Sequence, residues 1–83
     1  MAFWWIEAMA PAARAGALAR VAEEAGCSEV VIGAPDAAGR ASVRALAGEI
    51  DRQALLDAMQ ALLAGEGGWR IVVTDTAAVI PHT

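Results

Sequence analysis

The order of patterned segments constrains this chain more than any single residue does. A branched and aromatic stretch, an alanine-rich helical stretch, two short branched stretches around a turn, a leucine-patterned helix and a last branched stretch follow one another in 83 residues. Read as β-α-β-β-α-β, that order closes into an α+β two-layer sandwich: a four-stranded antiparallel sheet in the order 4-1-3-2 with both helices on one face. The architecture hosts ligand sensors, metal carriers, RNA binders and assembly modules, so it sets a shape before it sets a task.

Ala2 to Met9 is dense in aromatic and branched side chains and predicts the first strand, with Pro11 expected in the first turn of the helix that follows. From Pro11 to Ala25, Leu18, Val21, Ala22 and Ala25 recur on one side of a helix, and Gly26 is suited to its left-handed stop. Glu29 to Gly33 predicts a short strand, and Ala34-Pro35-Asp36-Ala37-Ala38-Gly39 a reversal. The return strand, Arg40 to Ile50, alternates Arg40, Ser42 and Arg44 with Ala41, Val43 and Ala45, which gives it one solvated and one packed face. Asp51 is expected to cap the second helix, whose Leu55, Leu56, Met59, Leu62 and Leu63 form one apolar face. Gly65, Gly67 and Gly68 end it before a last strand, Trp69 to Thr74. Residues 1–76 are thus expected to form the domain and 77–83 a tail or linker.

Composition removes several classes of function. Six arginines and no lysine against ten acidic residues leave a net charge of −4, so a nucleic-acid backbone would meet repulsion. No window reaches the roughly 18 apolar residues of a membrane helix, and the N-terminus lacks the basic flank of a signal peptide. Cys27, the one cysteine, permits neither an internal disulfide nor a multi-cysteine metal site, and it suits a reducing, cytoplasmic setting. It follows Gly26 at a helix end, where carbonyls point outward, and reads as a structural thiol. His82 has no partner for a metal or a catalytic triad, and Glu23 and Glu24 diverge on their helix. Gly65-Glu66-Gly67-Gly68 stands before a strand and so lacks the helix start that binds phosphate. These readings predict a non-enzyme without metal or cofactor.

The sheet face away from the helices is the surface that remains. Alternation places Trp4, Ile6 and Ala8 toward the helices, and Phe3, Trp5 and Glu7 toward the open side with Ser42, Arg44, Leu46, Arg70, Val72 and Thr74. Aromatic rings beside guanidinium groups on an uncovered sheet suit packing against a second copy, with Phe3, Trp5, Arg44, Arg70 and Val72 as contacts. Base stacking would need positive surroundings that the chain lacks. The same face offers a second possibility, a small anionic metabolite held at a subunit boundary by Arg40, Arg44 or Arg70.

Gly39-Arg40 with its strand, Arg52-Gln53-Ala54-Leu55-Leu56-Asp57-Ala58-Met59-Gln60, Gly68-Trp69-Arg70-Ile71-Val72-Val73 and Ala78-Val79-Ile80-Pro81 together carry a resemblance. Over about residues 20–81 the chain resembles the N-terminal soluble domain of the domain of unknown function 389 family of prokaryotic membrane proteins. The resemblance implies a ferredoxin-like fold, no catalytic signature, and a membrane-spanning region of the same parent protein as a partner, with the domain at the inner face of the membrane. The element order is also similar to amino-acid-binding regulatory domains and to nitrogen-sensor proteins, although the long nucleotide-binding loop of the latter has no counterpart here. The expectation is a regulatory or assembly domain, a homo-oligomer such as a dimer, with a metabolite sensor as the alternative.

Overall fold

A computed structural model describes residues 2–76. Strand β1 spans Phe3–Pro11, a single 3₁₀ turn Ala12–Arg14 leads into α1 (Ala15–Glu24), and β2 (Glu29–Ile32) and β3 (Arg40–Gly48) form a hairpin. Helix α2 (Glu49–Leu63) and β4 (Arg70–Asp75) complete the chain. The sheet order is β2-β3-β1-β4 with every neighbour antiparallel, which is the expected 4-1-3-2 arrangement read from the other edge. The expected tail, 77–83, with Ala77 to Ile80 and His82, lies outside the described residues.

The core lies between one sheet face and the two helices. Ile6, Ala8 and Ala10 of β1 and Ala41, Val43, Ala45 and Ala47 of β3 meet Ala15, Leu18, Ala19 and Ala22 of α1 and Leu55, Met59 and Leu63 of α2. Alanine dominates both the sheet and α1, so the backbones approach closely, and α2 supplies most of the bulk. Leu56 and Leu62, on the shoulders of the α2 stripe, are half-buried.

Several element ends differ from the sequence reading, β4 for example running Arg70–Asp75 rather than Trp69 to Thr74, and three of the differences have a clear physical reason. Pro11 is the last residue of β1 rather than a helical one. Odd-numbered residues of β1 turn their backbone groups toward β4, and β4 begins opposite Met9, so no ladder bond is lost at the proline. Strand β3 stops at Gly48, two residues before the expected Ile50, because the chain turns straight into α2. Asp51 is therefore the third residue of that helix and makes no capping bond, although its charge stands near the positive helix end.

The two reversals form as expected. Gly26 adopts φ +89° after α1. The Gly26 and Cys27 amides donate to the Glu23 and Ala22 carbonyls at 3.1 Å, a Schellman closure that requires the left-handed residue. In the hairpin turn, Asp36 Oδ1 accepts the amides of Ala38 and Arg40 at 2.9 Å, and Gly39 sits at φ +77°.

Candidate functional site

Both helices cover one side of the sheet, and the other side presents the residues that alternation assigned to it. Cross-strand pairing aligns them into rows. Val31, Arg44, Glu7 and Val72 form one row from edge to edge, and Glu29, Leu46, Trp5 and Thr74 form the next. Ser42, Met9 and Arg70 form a third.

The centre of this face is a three-residue cluster. The Arg44 guanidinium carbon stands 4.9 Å from the centre of the Trp5 ring, and Arg44 Nε lies 3.9 Å from Glu7 Oε2. A guanidinium over an indole gains about 0.5–1 kcal/mol where water still reaches it, so the cluster aligns three side chains more than it stabilises the fold. Trp5 remains half-buried with no helix above it, and Val72 and Val31 flank the cluster at 39% and 52% exposure. Leu46 is nearly inaccessible although it faces this side. Phe3 joins the same face at the strand's start and also lines a cleft described below.

The three arginines named for an anionic ligand do not converge. Arg40 lies by Asp36 at the hairpin turn, with Nε 3.8 Å from Oδ2. Arg44 is engaged by Trp5 and Glu7, and Arg70 Nη2 contacts Met9 Sδ at 3.2 Å on the opposite edge. They share the open face, each with its own neighbour.

Sequence reasoning placed Glu7 on this face but gave it no role, and it did not single out Val31. The signal for Val31 was present in Glu29-Val30-Val31-Ile32, a strand apolar on both faces and so unlike one packed on a single side. The other tryptophan of the pair, Trp4, turns to the helix side, where the Arg52 guanidinium of α2 stacks 4.2 Å from its ring.

A cleft of about 330 Å³ opens at the end of the sheet, between the α1–β2 turn and the start of α2. Its lining includes the apolar Phe3, Leu46 and Ile50 and the acidic Glu49 and Asp51. Nearby, burial first and the Asp51 carboxylate second push the Cys27 thiol above its ordinary pKa of 9.0. That direction fits a structural thiol and not a nucleophile.

No protein-family model matches the sequence, and no curated protein matches it. The fold is shared with PII-like proteins of solved structure. The apo form of CPII, a nitrogen regulatory PII-like protein from Thiomonas intermedia, is similar with a TM-score of 0.80 at 14% identity, over 92% of this chain and 90% of that one. The same protein bound to ADP, AMP and bicarbonate gives a TM-score of 0.77 at 18% identity, over 92% and 89%. A PII-like signalling protein from Thermus thermophilus gives 0.76 at 12% identity, over 92% and 87%. At these identities the likeness establishes the ferredoxin-like sandwich. No helix among the described residues is long and apolar enough to cross a membrane.

Proposed function

We propose that this chain is a non-catalytic regulatory domain that self-associates through its open sheet face and senses a small anionic ligand where copies meet. The observation that carries the reading is the Trp5–Arg44–Glu7 cluster, uncovered by any helix and flanked by exposed valines. An ordered cation between an aromatic ring and a carboxylate can exchange one partner for an incoming anion without unfolding its surroundings. The fold shared with a PII-like protein solved with ADP, AMP and bicarbonate supports a regulatory role. The β2–β3 connection, a tight turn closed on Asp36 and Gly39, is too short to wrap a nucleotide and favours a smaller anion such as bicarbonate or a carboxylate. We further propose, on the sequence resemblance to the domain of unknown function 389 family alone, that the domain sits beside a membrane-spanning region of its parent protein.

A second reading, assembly without a ligand, is favoured by the partner that each of Arg40, Arg44 and Arg70 already has within the chain. One experiment separates the two. Molar mass by light scattering is measured for the wild type and for Trp5→Asp, and melting temperature is followed against bicarbonate, phosphate, dicarboxylates, ADP and AMP. The proposal expects an oligomer that Trp5→Asp dissociates, and a melting temperature that rises with one small anion and loses that rise in Arg44→Ala. An oligomer with no anion response leaves assembly alone. A wild-type monomer at every concentration overturns both.

A further inference from the structure

Four of the five large apolar side chains exposed among the described residues stand on the two edge strands: Val31 and Ile32 on β2, and Val72 and Val73 on β4. Each edge exposes one on either face of the sheet, so no cover on a single side could bury both. Charges stand only at strand ends, at Glu29, Arg70 and Asp75, and both registers run without a bulge. The devices that usually keep edges apart, such as lysine, proline or a kink, are missing from these two strands.

The hydrogen-bond phase of each edge follows from one contact. The Gly33 amide donates at 2.8 Å to the carbonyl of Ser42, directly opposite it, so Glu29 and Val31 bond to β3, and the backbone groups of Val30 and Ile32 point outward. The Thr76 amide donates at 3.1 Å to the Phe3 carbonyl, which by the same alternation turns Ile71, Val73 and Asp75 outward on β4. The two edges also run antiparallel to each other, because β2 has the direction of β1 and β4 opposes it.

We propose that copies of this chain join head to tail through these edges, β2 of one against β4 of the next, with Val31 opposite Val72, Ile32 opposite Ile71 and Val30 opposite Val73. The proposal rests on the self-association reading above and adds an edge contact beside its open-face one. Three conditions select the register: outward backbone groups must meet outward ones, sheet faces must agree, and apolar side chains must meet apolar ones. A slip of two residues one way sets Val31 against Arg70 and Glu29 against Val72. A slip the other way sets Val30 against Asp75. The selected register leaves Glu29 facing Thr74 and Gly33 facing Arg70, with no like charges opposed. Pairing two β4 edges about a two-fold axis would leave Val31 and Ile32 in water, whereas the head-to-tail contact covers all four. Repeated, such a contact closes into a ring when its rotation closes and extends as an open filament when it does not.

The test uses the whole chain with Ile32→Pro or Val73→Pro, each of which removes an N–H that points away from the sheet and leaves the chain's own ladder intact. Each variant alone is expected to fall to the mass of one chain with unchanged far-UV circular dichroism. Mixed, they are expected to form a 1:1 pair, since one keeps a competent β4 and the other a competent β2. Ile32→Lys and Val73→Lys make the same comparison if a proline unfolds its strand. Either variant retaining the wild-type mass, or a mixture that stays monomeric, overturns the head-to-tail contact. Trp5→Asp then decides the broader reading, which survives if that variant alone dissociates and falls if the wild type is itself a monomer. For the register, Val31→Cys and Val72→Cys in a Cys27→Ser background are expected to cross-link to each other on mild oxidation, because facing Cα atoms at such a position lie about 4.5 Å apart. Val72→Cys cross-linking to itself would assign the contact to two β4 edges and overturn the proposal.

Discussion

Asp36 turns a six-residue reversal into a pH-sensitive clasp. The Arg40 amide is the main cause that holds its carboxyl below the ordinary 3.8; desolvation opposes it, and the Ala38 amide and the Arg40 guanidinium add smaller lowering contributions. A carboxylate whose folded pKa is depressed contributes stability above its unfolded pKa and loses it as pH falls through the folded one. The melting temperature is therefore expected to decline as pH is lowered past 3.8, and Asp36→Ala to flatten that acid limb while lowering the plateau near neutrality. An acid limb identical in the variant would show that the two amide bonds are not formed in solution. At this scale the sequence was legible wherever a residue acts through its own backbone, as Asp36, Gly26 and Gly39 do. It was less legible where a side chain acts through a distant neighbour. Trp4 and Trp5 are chemically identical, and only the sheet's phase sends one to Arg52 of α2 and the other to Arg44 on the open face.

Among the elements, α2 carries the largest share of core bulk, with Leu55, Met59 and Leu63 fully buried at helical spacing. Met59→Ala removes most of a side chain from the place where the alanine-rich strands cannot fill in, and is expected to cost about 2–5 kcal/mol in urea unfolding at an unchanged slope. The equivalent change on the exposed side, Gln60→Ala, is expected to stay within about 0.5 kcal/mol. Helix periodicity and strand alternation are local properties, so the number, type and order of elements, and the residues of the open face, could be read from the chain. Boundaries depend on neighbours that the chain reaches later. Pro11 stays in β1 because β4 has not yet begun beside it, and Asp51 fails to cap because β3 passes into α2 without a loop. The edge pattern of β2 and β4 has the same character, since Val31 and Val72 belong to one row only after the four strands are assembled.

For the molecule as a whole, the fold places its small apolar residues inside and many of its larger ones outside. Among the described residues, eight of the fifteen buried apolar ones are alanines, while Val31, Ile32, Ile50, Val72 and Val73 stand in water. Trp5 and Phe3 lie half-exposed on the uncovered face. An isolated copy thus keeps in contact with solvent much of the hydrocarbon that would ordinarily drive its own collapse. Under the proposed self-association, folding and association would draw on one reservoir of free energy. The melting temperature is expected to climb with protein concentration over a dilution series, and to become independent of concentration once Trp5→Asp separates the copies. A concentration-independent wild type would mean that the interior is sufficient by itself. In the proposed assembly, the alanine layer between sheet and α1, which lets two backbones lie close, has a consequence beyond packing: the abundance of this chain in its surroundings would become one of the variables that decide whether it is folded.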